Sequence, residues 1–251
     1  AVIRYVSTNG NRVLTTDEVT GKSGEAIAYS TTSQITEFKK QGYNLVSDEF
    51  TAGGAKVYDY DTARDQVYTV TLSERVEPVN PDNPTPQPNT PVNPGQPDSP
   101  RWPGTVENLD NKESVSRTIH YVYEDGSKAK DDVVETLNFK RWSNVNLVTG
   151  HIDFQDWTTN DDTFDKVVSP TIAGYTADKS EIPAVSGVQA KDQDRVETVT
   201  YHKDAQKAVI RYVSTNGNQV LKTDEVTGKS GEAIAYSTTS QINEFKKQGY
   251  K

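Results

Sequence analysis

Few side chains in this sequence could do chemistry at neutral pH. Its three histidines are His120, His151 and His202, and none has a second histidine, or an acidic residue at metal-ligand spacing, beside it. Neither a zinc site nor a catalytic triad is therefore indicated, and His120 and His202, which alternate with apolar strand residues, are expected to face solvent. Cysteine is absent, which excludes thiol nucleophiles, thiolate metal sites and disulfides. No Gly-x-Ser-x-Gly elbow occurs, and Gly21-Lys22-Ser23-Gly24 lacks the spacing of a phosphate loop and reads as a tight turn. The densest polar group is acidic: Asp153, Asp156, Asp161, Asp162 and Asp165. Crowded carboxylates on a loop could hold calcium, with Asp153, Asp156, Asp161 and Asp162 as ligands, although the Asp-x-Asp-x-Asp-Gly order is missing; the other reading is a solvated acidic loop. A glycosidase pair would need a buried acid facing a second carboxylate across a cleft, for which small modules have little room. Trp142 and Trp157 could stack on sugar rings, or could fill the core of a small module. A Lys–Asn isopeptide crosslink would explain stability without cysteine, but no triad for it can be assigned. The residues thus point to binding rather than catalysis, with no cofactor required.

Composition narrows the partners. Asp and Glu total 36 against 27 Lys and Arg, a net charge of −9, which argues against nucleic acid and anionic membranes. With 33% hydrophobic and 25% charged residues over 251 positions, the chain should fold as about two modest domains. It has no run of about 18 apolar residues and no charged-then-apolar leader. Methionine is also absent, including at position 1, so an internal fragment or a processed product is expected.

An internal duplication sets the organisation. Residues 1–44 return as 208–251 at an offset of 207, differing only at Arg12/Gln219, Thr15/Lys222, Thr36/Asn243 and Asn44/Lys251. A period this long is a whole-domain repeat rather than a solenoid unit. Ten of the 12 prolines lie between Pro78 and Pro103, where fixed backbone angles favour an extended, semi-rigid spacer reaching on the order of 80 Å. Trp102, between Arg101 and Pro103, is placed to cap the module that follows. The expected division is a first module at 1–77, a proline-rich linker at 78–111, a larger second module at 112–203, and a truncated copy of the first at 204–251.

The first module reads as strand, turn, strand, helix and returning strands. Val2 to Val6 alternates, Asn9-Gly10-Asn11 signals a turn, and Val13 to Val19 returns. Thr31 to Gly42 predicts a helix with a capping box at Thr31 and Gln34, Ile35 and Phe38 on one face, and Gly42 as its end. Tyr43 to Val46, Lys56 to Tyr60 and Gln66 to Leu72 supply further strands. This order describes an α+β fold of the β-grasp, ubiquitin-like type. The second module follows the same grammar more loosely: Tyr121 stands before Gly126 as Tyr5 stands before Gly10, and Gly174-Tyr175 echoes Gly42-Tyr43. The longer spacing from Tyr121 to Tyr175 places an insertion in the Thr149 to Ser169 region.

Several spaced elements together resemble the mucus-binding repeats of lactobacillus surface adhesins. In the second module these are Arg117-Thr118-Ile119-His120-Tyr121, Phe139-Lys140-Arg141, Val148-Thr149-Gly150, Trp157, Pro170 with Gly174-Tyr175, and Val199-Thr200-Tyr201. In the first they are Ile3-Arg4-Tyr5-Val6, Thr20 to Glu25, and Gly42-Tyr43. The resemblance implies a non-enzymatic, wall-anchored extracellular protein, multivalent in tandem, that adheres to mucin glycoproteins or their glycans. The secretion signal and anchor are expected to lie outside this sequence. Some members of the family are reported to bind immunoglobulins, and a structural stalk spacer is a further alternative. Residues 208–251 lack the later strands of the first module, so they are expected either to be poorly ordered or, because they nearly duplicate 1–44, to take part in strand-swapped self-association.

Overall fold

The computed structural model describes residues 1–251, mostly β-strand with two α-helices. In chain order the elements are β1 (Val2–Ser7), β2 (Val13–Glu18), α1 (Thr32–Lys40), β3 (Tyr43–Asp48), β4 (Val67–Glu74) and β5 (Val76–Val79). A 3-10 turn at Gly104–Asn108 precedes β6 (Lys112–Tyr123), β7 (Lys128–Lys140), β8 (Ser143–Asn146) and β9 (Ile152–Phe154). Then come β10 (Val167–Val168), β11 (Tyr175–Ala177), β12 (Glu181–Ile182), β13 (Arg195–Lys203), β14 (Ala205–Val213), β15 (Val220–Lys229) and α2 (Thr239–Lys247). Two compact units divide the chain: Ala1–Glu113 with Asn138–Asn160, and Ser114–Leu137 with Asp161–Lys251.

In the first unit, the alternation of Val2 to Ser7 sends Ile3 and Tyr5 to one buried face. The turn predicted at Asn9-Gly10-Asn11 forms, with Gly10 and Asn11 both at positive φ, a conformation glycine and asparagine tolerate. The sheet order is β2-β1-β4-β3, and β1 and β4 run parallel at its centre. Helix α1 lays Ile35 and Phe38 on Ile3, Tyr5, Val70 and Leu72. Its start differs from the expected capping box. Thr31 makes no side-chain cap; its buried hydroxyl instead donates to Asp48 Oδ2 at 2.6 Å, tying the helix to the end of β3. The stretch expected as a strand at Lys56 to Tyr60 forms only a single bridge, Val57 to Ala26. Its backbone bonds to the irregular 24–27 loop rather than to a sheet strand.

The proline-rich stretch differs from the extended spacer expected of it. Its first residues belong to β5, which pairs with β8, which in turn pairs with β9. Asn89 to Val92 doubles back on Pro100 to Trp102 through three backbone hydrogen bonds of 2.9–3.0 Å. Val92, Trp102 and Leu109 then pack on Val79, Val106, Val145 and Leu147. Proline restricts each residue's own backbone but leaves the chain free to turn between prolines, and interspersed apolar residues provide a reason to fold back. Residues 138–160, expected in the second module, lie in the first unit because Val145 and Leu147 complete this cluster.

In the second unit the order is β11-β13-β6-β7, with β13 and β6 parallel from Arg195↔Arg117 to Tyr201↔Tyr123. Ile119, Tyr121, Val199 and Tyr201 form its buried centre with Ile182. No α-helix lies between Lys112 and Lys203, so the looser grammar of this module does not extend to a crossing helix. The largest fully buried side chain is cationic: Arg117. Its Nε donates to Glu135 Oε2 at 2.7 Å and its Nη1 to the Pro183 carbonyl at 2.9 Å, while Nη2 reaches Glu135 and the Asp165 carbonyl. The guanidinium lies 5.1 Å from the Phe164 ring centroid. Each of these groups would lose its partner if Arg117 were removed, leaving the Glu135 charge partly buried and unpaired. Arg117→Ala should therefore destabilise the second unit by about 3–5 kcal/mol, measured by urea unfolding.

Tyrosines carry a second constraint. Tyr5 and Tyr29 share a hydrogen bond of 2.9 Å, and the Tyr29 hydroxyl donates to Asp17. Burial pushes the phenols of Tyr5, Tyr29, Tyr68, Tyr121 and Tyr201 above their ordinary value, and at Tyr29 the bond to Asp17 adds to this. A phenol held neutral in the folded state contributes stability that is full below its unfolded pKa of about 10 and is lost as pH rises from there toward the folded value. Stability should accordingly stay level up to about pH 9 and fall above pH 10. Urea midpoints read alongside phenolate absorbance would check this, and Tyr29→Phe should flatten the alkaline fall.

Candidate functional site

The side chains best placed to meet a ligand lie where β7 ends and β9 turns outward, all within the first unit. Lys140 and Thr158 exchange backbone hydrogen bonds of 2.9 and 2.8 Å, and Gln155 N–H donates to the Trp142 carbonyl at 2.9 Å. The 155–158 segment is thereby held against 140–142. Between them the Arg141 guanidinium is stacked on two rings, 3.9 Å from the Phe154 centroid and 4.3 Å from the Trp157 centroid. Arg141 Nε donates to the Asp110 carbonyl at 2.8 Å and Nη2 to its carboxylate at 2.9 Å. A cation between two ring faces meets the negative side of each π-system, and the Asp110 carboxylate neutralises it from the edge.

Trp157, half-buried against Arg141, is thus engaged in building the site. Trp142 is different: it is 42% exposed, and Phe154 beside the stack is 38% exposed. Open aromatic faces held by a rigid neighbour can take up the C–H face of a pyranose, whose weakly positive hydrogens meet the π-face. On the same turn and strand, His151 Nε2 pairs with Asp153 Oδ1 at 3.0 Å. Sequence reasoning singled out both tryptophans and missed the part of Arg141 and Phe154. No local signal was available, because the rings on which Arg141 stacks lie thirteen and sixteen residues further along the chain, at Phe154 and Trp157.

The calcium candidates are not gathered. No group of three or more His, Asp or Glu side chains could hold a metal ion. The carboxylates serve local structure instead: Asp161 accepts the Thr163 N–H at 2.9 Å and Asp162 the Thr163 hydroxyl at 3.0 Å. All three histidines pair with a carboxylate, His120 with Asp132 at 2.9 Å and His202 with Glu124 at 2.6 Å besides the pair above. The His202 bond holds the Glu124 carboxyl below the usual range. These pairs are solvent-exposed. Trp102, expected to cap the second module, packs in the proline-rich cluster.

With this geometry in place, comparison with known proteins identifies the class. The Mucin binding domain profile matches residues 1–74 and 206–251, and the Muc B2-like domain profile matches residues 106–205. The chain belongs to the mucus-binding repeat family. It is similar to the solved type 2 repeat of the mucus binding protein MUB from Lactobacillus reuteri, at 28% identity and TM-score 0.53, over 81% of this chain and 98% of that one. It is also similar to the crystal structure of Mub-RV, at 26% identity and TM-score 0.63, over 81% of this chain and 97% of that one. No curated protein sequence matches. No helix is long and apolar enough to cross a membrane.

The two tryptophans should separate by substitution. Trp142→Ala should leave the urea midpoint within about 0.5 kcal/mol of the parent, as an exposed position does, whereas Trp157→Ala should cost about 1–3 kcal/mol by opening the Arg141 stack.

Proposed function

We propose that this chain is a non-enzymatic adhesion repeat of an extracellular bacterial surface protein. It binds mucin glycoproteins through their glycans, and its strand–helix–strand modules are of β-grasp type. The observation that carries this reading is the match of the Mucin binding domain profile to both copies of the duplicated segment. The site geometry supports it, since Trp142 and Phe154 are both partly exposed and Phe154 is held against the Arg141 guanidinium. Two stacked rings supply only modest affinity, so each repeat binds weakly, and attachment of cell-wall-linked arrays grows through effective concentration along the tandem.

Surface plasmon resonance on immobilised mucin tests the proposal. This chain should show fast, weak binding, an array of six repeats should be retained at least tenfold longer, and Trp142→Ala should lower retention at unchanged fold. Enzymatic removal of the mucin glycans should abolish it. Equal retention for one repeat and six, or full binding to deglycosylated mucin, would overturn it.

A further inference from the structure

Two connections in this chain share one construction. Strand β4 ends at Glu74 and β5 begins at Val76, while β13 ends at Lys203 and β14 begins at Ala205, so a single residue, Arg75 or Asp204, joins a closing strand to the next strand. The Arg75 N–H donates to the Gly42 carbonyl at 2.8 Å, and the Arg75 carbonyl accepts the Leu147 N–H at 2.9 Å. At the second connection the Asp204 N–H donates to the Gly174 carbonyl at 2.9 Å, and the Asp204 carbonyl accepts the Ser230 N–H at 2.9 Å. The strands around them correspond as well. Each glycine precedes a tyrosine paired with the end of the closing strand, Tyr43↔Glu74 and Tyr175↔Lys203. Each donor follows the residue paired with the start of the next strand, Val76↔Asn146 and Ala205↔Lys229. Gly42 and Gly174 have positive φ, 94° and 79°, and an added Cβ would stand 2.8 Å from Leu147 Cβ and 3.1 Å from Ser230 Cβ. Both positions therefore call for glycine twice over, for the backbone angle and for the close approach.

The first connection lies inside a compact unit, where Val148 goes on to pack against the core around Ile3 and Leu72. The second lies between the second module and the duplicated segment, both within the second unit. Side chains add to it. The Thr176 hydroxyl donates to Asp204 Oδ1 at 2.6 Å, the Ser230 hydroxyl to the Asp204 carbonyl at 3.3 Å, and Gln206 Nε2 to Ser230 Oγ at 3.2 Å. The turn that presents Ser230 is closed by its own residues: the Lys229 N–H donates to Glu232 Oε2 and the Glu232 N–H to the Lys229 carbonyl, both at 3.1 Å. Lys22 and Glu25 make the same two bonds around Ser23 in the first copy, so this turn forms wherever its sequence occurs.

We propose that Gly174, Asp204 and Ser230 form a rigid joint between successive repeats. The end of the second module at Gly174 and Thr176 is an interaction surface, and its partner is the serine turn of the following copy of the first module. Connected modules move relative to one another by default. Here one residue between two paired strands leaves no free linker, and backbone hydrogen bonds on both sides of that residue fix the angle. In a tandem array the orientation of one repeat is thereby passed to the next. The joint concerns the connection between repeats and stands independently of glycan binding.

Residual dipolar couplings and amide hydrogen exchange on the isotope-labelled full chain test it. Couplings from β6 and β13 and from β14 and β15 should fit one alignment tensor, and the Ser230 amide should be protected, with Leu147 as the equivalent amide at the first connection. Inserting Gly-Gly after Asp204 leaves both partners intact and should split the fit into two tensors and speed Ser230 exchange about tenfold or more, with Leu147 unchanged. Gly174→Val, which sets a branched side chain against Ser230, should act in the same direction. Two tensors in the parent chain, one tensor surviving both changes, or Ser230 exchange as fast in the parent as in the insertion variant would each overturn the proposal.

Discussion

Parallel pairing of an early strand with a late one is the constraint on which the rest of the fold depends. β1 meets β4 across more than sixty residues and β6 meets β13 across more than seventy. Parallel neighbours cannot be joined by a tight turn, so each pair obliges the intervening chain to cross over and cover the sheet. In the first unit the crossover contains α1, whose Ile35 and Phe38 close the core. In the second it contains the long strand β7, several short strands and loops but no α-helix, and Arg117 is buried with its carboxylate and carbonyl partners from β7 and those loops.

Two guanidinium groups show how one residue type serves different ends. Arg117 is fully buried and its hydrogen bonds run to strand β7 and to two separate loops. Its planar fork spreads five donors over three nitrogens and so reaches acceptors on opposite sides, whereas a lysine has three donors on a single atom. Arg141 is stacked instead, and its neighbours Trp142 and Phe154 remain partly open. A stacked guanidinium stiffens aromatic side chains without hiding them, which suits a surface that binds rather than reacts. The family to which the chain belongs is one of mucus-binding repeats.

Much of the first module was legible from alternation and turn chemistry. Strands β1 to β4 and helix α1 fall within a few residues of where Val2, Gly10, Ile35, Phe38 and Gly42 place them. The misses have identifiable causes. Thr31 and Gln34 have capping spacing, but Asp48 competes for the Thr31 hydroxyl from seventeen residues away. Lys56 to Tyr60 alternates as a strand does, yet its backbone partners lie in an irregular loop. The prolines obscured Val92, Trp102 and Leu109, whose packing depends on Val145 and Leu147 much later in the chain. Of the candidate site, both tryptophans were visible, while the stack that engages Trp157 needed Arg141, Phe154 and Asp110 to be brought together.

The duplicated segment separates the two sources of information. By itself the sequence determined the hairpin, its register, the helix and the tyrosine pair, because these arise from contacts within about forty residues, and they form twice. Only the tertiary structure decided whether Val2 or Val209, Ile35 or Ile242, would be core or surface. Forty of 44 residues are the same in the two copies, so burial is not a property of those residues. It is conferred by a distant parallel strand outside the shared stretch, β4, which runs beside β1 from Val2↔Val67 to Ser7↔Leu72.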